Sequence, residues 1–323
     1  MTGFTSDHYL SRETTVSVNG LFIIIVFFSH IQSYIALPPA VHGVTSGLGQ
    51  LMVAMFLFYS GYGVGHSVRQ KGMPYVHTMP VKRIGKVSAG FIPAVLLYAV
   101  LDLACGIPFT AKEFFLSLTA WENLGNSNWY IFVILCLYLI TWLACEISGR
   151  WMSEKNWETC SFIILCFLGI LLFFFLHETK ESWWYNTMSA YFLGYFVSFT
   201  KDKWDAVFSV RGMWLAAAML SLAAVIWLRP LSRHASLYLV MTVMYCILIL
   251  SLTKKVPVYH PVLYWLGSHL FEIYILMRIP MILLLYIPVV WVREPVIYTG
   301  ISAVVTMVFA WLYHEFLASR LAR

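Results

Sequence analysis

The stretch NGLFIIIVFFSHIQSYI, Asn19 to Ile35, carries one imidazole, His30, near the far end of a run of Ile, Val and Phe. An imidazole taken out of water stays neutral because burial disfavours its charged form, and a neutral imidazole suits general-base chemistry. It also suits a plain hydrogen bond to a neighbouring helix, and His30 by itself does not decide between the two. Asn19 precedes it by eleven residues, close to three turns at about 3.6 residues per turn and roughly 16 Å along a helix axis. The two therefore share a face, which Ser33 and Tyr34 extend if the helix continues past His30.

Other polar groups fall at comparable depth. Counted from the cytoplasmic end of each span at about 1.5 Å per residue, His30 lies about 20 Å in, Asp102 and Arg278 about 24–26 Å, and Glu272 about 16 Å. Ionisable groups at such depth cost several kcal/mol unless paired or hydrated, so each is a candidate functional residue. A second cluster, Lys82, Arg83 and Lys86 in MPVKRIGKV, has the spacing to grip a phosphorylated ligand. The same residues also serve as ordinary cytoplasmic anchors of a membrane helix.

These groups need a scaffold, and composition identifies its solvent. The chain has 323 residues, 60% hydrophobic and 11% charged, against about 45–50% and about 25% in soluble domains. That describes an all-α polytopic protein of the lipid bilayer. Apolar runs near 16–36, 47–67, 87–107, 127–147, 158–176, 183–199, 213–229, 236–252, 262–285 and 295–317 predict about ten transmembrane helices. Lys and Arg fall about three to one on the side that holds both termini, which predicts cytoplasmic termini. The net charge of +6 is spread over short loops, a pattern that serves topology rather than nucleic-acid binding. The first run is too long for a signal-peptide core and reads as a retained span. Six cysteines sit in or beside apolar runs without a CxxC pair, as free thiols would, and no metal site is expected. Phe109–Asn128 forms the longest outward loop, with a short amphipathic segment. Trp121, Trp129, Trp183 and Trp184 lie near the outer boundary, as anchors or as platforms for a sugar.

With these pieces placed, the chain resembles acyltransferase family 3, integral membrane O-acyltransferases that decorate sugars. The resemblance runs over nearly the whole chain, through NGLFIIIVFFSH, MFLFYSGYGV, KRIGK, NSNWYIFVILCLYL and WLGSHLFEIYILMR in family order. It implies one membrane domain over residues 1–323, and the esterase-like domain of some relatives is not expected after the last helix. It implies an acyl-CoA donor, usually acetyl-CoA, reached from the cytoplasm, and an acceptor hydroxyl on an envelope glycan or glycolipid. A bacterial plasma membrane is the expected location.

The resemblance assigns His30 as base or transient acyl carrier, and Lys82, Arg83, Lys86 and Asn19 to the donor. Arg278, Ser33 and Tyr34 are candidates for oxyanion or acceptor contacts. Asp102 and Glu272 are candidates to orient the imidazole, and Ser60 and Trp129 come from motif segments. The chain departs from the family pattern twice, with Asn19 where a basic residue is expected and Lys86 in place of a second arginine. A sugar or lipid transporter, or a non-catalytic family member, is the competing expectation.

Overall fold

A computed structural model describes residues 9–45, 47–151 and 156–321. The protein is 83% helical, with no strand among the described residues. Among the described residues seven helices are long and apolar enough to cross a membrane, or eight if one bent pair counts as a single span. Two of the seven, Trp157–Thr179 and Met213–Leu231, bury only 22% and 17% of their most apolar windows in protein. Apolar helix surface of that extent needs lipid around it. The chain is a multi-pass membrane protein.

The difference from ten predicted spans has local causes. Gly49–Cys105 counts as one 57-residue run although it holds two predicted windows. Inside it Gly72 adopts φ 58, ψ −151, a conformation that glycine tolerates and L-residues avoid. The window predicted at 183–199 forms a helix shifted along the chain, Ser189–Ser209, whose last turns carry Lys201, Asp202, Lys203 and Asp205. Those charges lower its mean hydropathy. The window at 262–285 is broken: Pro261–Ser268 and Leu270–Tyr286 meet at 62° around His269.

The chain folds into two compact units. Of the described residues, the first comprises 9–15, 53–85, 133–151 and 156–259. Its helices Gly49–Met79 and Ser189–Ser209 approach closely at two glycines. A Cβ on Gly61 would stand 2.1 Å from the Tyr191 carbonyl oxygen, and one on Gly194 would stand 2.0 Å from that of Phe58. Small residues of this kind let membrane helices touch backbone to backbone.

The second unit comprises residues 16–45, 47–52, 86–132 and 260–321, and it repeats the device with different helices. A Cβ on Gly20 of Arg12–Ile31 would lie 1.8 Å from the Leu263 oxygen, and one on Gly267 would lie 1.8 Å from that of Val16. The Tyr313 hydroxyl of Pro295–Leu321 donates to the Gly90 oxygen of Lys86–Cys105 at 2.6 Å. The predicted amphipathic segment forms as Ala111–Leu118, opened by a capping box between Thr110 and Glu113.

Candidate active site

The second unit assembles the site around the end of the first helix. Arg12–Ile31 stops one residue after His30, and the chain then turns, with the backbone N–H of Ser33 donating to the His30 oxygen. The helical face expected to continue to Ser33 and Tyr34 is therefore cut off. Ser33 is exposed. Tyr34 returns by another route, its ring 6.0 Å from the Arg278 guanidinium.

Arg278 is the residue that meets the imidazole. Its Nη2 lies 3.0 Å from Nδ1 of His30. A guanidinium only donates, so Nδ1 accepts and the neutral ring carries its proton on Nε2. The other terminal nitrogen donates to the Gly125 oxygen at 3.1 Å. The Nε–H of Arg278 is buried without a partner. No carboxylate pairs with this guanidinium among the described residues.

Why Gly125 can receive it follows from the loop after Ala111–Leu118. Gly125 has φ 85, so its backbone adopts a conformation few other residues tolerate. Asn126 accepts from the Leu124 N–H at 3.0 Å. Asn128 donates to the oxygens of Ala120 and Glu122. Two buried amides thus hold the loop that presents a carbonyl to Arg278.

Aromatic rings complete the wall. The Tyr274 ring stands edge-on to His30 at 6.4 Å, and its hydroxyl is 3.1 Å from that of Ser127. Tyr130 packs on Tyr274 at 5.3 Å, and Trp129 on Tyr130 at 6.3 Å. Trp129 thereby joins the layer through two intervening rings. Tyr274, Tyr130, Ser127 and Gly125 were not singled out from the sequence. Tyr274 carries the clearest signal in retrospect, four residues before Arg278 on the same helical face.

The other expected residues lie elsewhere. Glu272 accepts from or donates to no part of His30; its carboxylate is 2.9 Å from Nδ1 of His314. Asp102 is buried, and its side chain makes no hydrogen bond or ion pair with a described residue. Asn19 has its amide oxygen buried and unpartnered, one residue before the Gly20 contact.

Ser60, Lys82 and Arg83 belong to the first unit, and Lys86 opens the helix Lys86–Cys105 of the second. Lys82 and Arg83 fall in a π-helical turn, Pro80–Gly85, whose i→i+5 pattern shifts the α-helical register assumed from spacing. Lys82 and Lys86 are exposed. Arg83 donates through Nε to the Tyr75 hydroxyl at 3.0 Å, with its guanidinium 5.9 Å from the centre of the Tyr138 ring. Ser60 lies near the hydroxyl of Tyr138. The described residues contain no group of His, Cys, Asp and Glu side chains able to hold a metal ion.

The chain is a polytopic helical membrane protein with an arginine-bound histidine among its helices. The family comparison supplies the reaction type. The acyltransferase domain of family 3 matches residues 18–315, nearly the whole chain, and the chain belongs to that family of membrane acyltransferases. No curated protein and no solved structure matches it.

Proposed function

We propose that the protein is an O-acyltransferase that moves an acyl group from cytoplasmic acyl-CoA to a hydroxyl of a cell-surface glycan or glycolipid. Ten spans, cytoplasmic termini and a bacterial plasma membrane are the setting of this reading. The observation that carries it is the hydrogen bond from Arg278 to Nδ1 of His30, in a chain that belongs to an acyltransferase family.

The contact gives the chemistry an order. While Arg278 occupies Nδ1, that nitrogen cannot take a proton. A thioester carbonyl is a better place for an unpaired guanidinium than a neutral imidazole, because charge builds on that oxygen during attack. As Arg278 transfers to the carbonyl oxygen, Nδ1 is released as the base. The acceptor hydroxyl attacks the carbonyl carbon and gives its proton to Nδ1. The tetrahedral intermediate then collapses, the C–S bond breaks, and His30 returns the proton to the CoA sulfur.

On the donor side, Arg83 and the exposed Lys82 and Lys86 suit the phosphates of CoA. The unpartnered amide oxygen of Asn19 suits an N–H of the pantetheine arm. Acetyl-CoA is the simplest donor.

The test uses purified protein, radiolabelled acetyl-CoA and an envelope glycan extract. Label should pass to glycan, and His30→Ala should abolish the transfer. Transfer that survives the substitution would remove His30 from the mechanism. Movement of unmodified glycan across liposomes without CoA binding would favour the transporter reading.

A further inference from the structure

In the first unit the helix Gly49–Met79 kinks at Gly72, and residues 73–79 continue as a short helical piece beyond it. Two contacts fasten that piece to the helix Trp129–Trp151. Nδ1 of His77 lies 2.8 Å from a carboxylate oxygen of Glu146. Met73 lies against Gly149, where a Cβ would stand 2.5 Å from the Met73 sulfur. Tyr75 sits between these two fastenings in sequence and is 8% exposed.

The fastened tyrosine is what Arg83 is tied to. Its hydroxyl accepts from Nε of Arg83 at 3.0 Å, and the Tyr138 ring centre lies 5.9 Å from the guanidinium carbon. No carboxylate pairs with this guanidinium among the described residues. A hydroxyl and an aromatic ring orient the cation without cancelling its charge. With Nε committed, the edge formed by the two terminal nitrogens is the one left for an anion, and it can grip two oxygens of a single phosphate.

We propose that Tyr75 and Tyr138 are positioning residues, which aim the terminal nitrogens of Arg83 at one phosphate of the donor. The proposal rests on acyl-CoA being the donor. A long side chain gives up rotamer freedom when it grips a ligand. An arginine already tied down by Tyr75 gives up less, so the anchor acts by preorganisation. Lys82 of the same turn is exposed and supplies charge without a fixed direction.

The experiment compares two donors on the full chain in lipid nanodiscs: acetyl-CoA, and S-acetylpantetheine, which carries the same thioester without a phosphate. Tyr75→Phe keeps the ring and removes the hydroxyl. It should raise the KM for acetyl-CoA about tenfold, leave kcat within about twofold, and leave kcat/KM for S-acetylpantetheine unchanged. Tyr138→Leu should give the same pattern at about threefold, and it keeps the test open should the first variant fail to fold. On an Arg83→Met background, Tyr75→Phe should weaken acetyl-CoA no further. Equal losses on both donors would mean general loosening of the unit and overturn the proposal. So would an unchanged KM for acetyl-CoA in Tyr75→Phe, with the donor reading left standing. Failure of the unsubstituted protein to bind acetyl-CoA would sink the donor reading itself, and the positioning role with it.

Discussion

Arg278 donates to Nδ1 of His30 across 3.0 Å, joining residues 248 positions apart in sequence. The guanidinium is otherwise held by one backbone carbonyl, from Gly125. An arginine among membrane helices without a carboxylate partner is costly, and the proposed mechanism offsets that cost with an oxygen that it meets only during reaction.

Arg278→Met should therefore lower kcat about 10²–10³-fold, the usual cost of losing a donor to a developing oxyanion. Acyl-CoA affinity should change little. Single-turnover rates measured beside acyl-CoA binding make the test, and a loss of affinity as large as the loss of rate would reduce Arg278 to a binding residue.

The glycine contacts yield a stability prediction. A methyl at Gly20 or Gly267 cannot fit 1.8 Å from a carbonyl oxygen, so the helices must part. Gly20→Ala and Gly267→Ala should each cost about 1–3 kcal/mol, read as a fall in unfolding temperature in detergent. Gly300 is the control, because a Cβ there meets nothing within 4 Å. In a helix interior Gly300→Ala should be neutral or stabilise by up to about 1 kcal/mol.

The fold and the site were legible in the sequence to different degrees, for physical reasons. Long apolar runs announce themselves, because lipid tolerates little else. The placement of His30 within such a run was readable, and Arg278 was visible as an ionisable residue out of place. Their contact was not, since spacing within a helix says nothing about which helices touch. Helix breaks were the other loss. The bend at His269 and the stop after Ile31 occur inside or beside apolar sequence with no proline at the break, so periodicity ran straight through them. The loop carbonyl of Gly125 was hidden for another reason: any residue supplies a carbonyl, and only the fold decides where it points.

Acid should weaken the first unit through Asp205, which lies beyond the window predicted at 183–199. Partial burial would raise its carboxyl, but hydrogen bonds from Lys201 and Lys254 outweigh that and hold it below the usual range. A carboxyl depressed in the folded state contributes stability above its unfolded value, about 3.9, and loses it as pH falls through the folded value. Asp205→Asn should lower the unfolding temperature by a few degrees at neutral pH. The gap to the unsubstituted protein should close below about pH 4. Unfolding curves between pH 3 and 7 would show it, and a gap that persists at the acid end would exclude this pairing as its source.

The last prediction concerns Asn19, where the family pattern has a basic residue. Its amide oxygen is buried without a partner, and Gly20 beside it holds the backbone against Leu263, so the side chain is fixed in position while lacking charge. An arginine there would present up to five donors and a permanent cation to the donor. Asn19→Arg should tighten acyl-CoA binding several-fold, with a stronger dependence on salt, because phosphate contacts are screened by ions. The rate of a single turnover at saturating donor should stay the same, since His30 lies about three turns away. Equilibrium binding at low and high salt, followed by single-turnover kinetics, reads both effects. Unchanged affinity at both salt concentrations would place the CoA phosphates elsewhere and leave Arg83 and the two lysines as their grip.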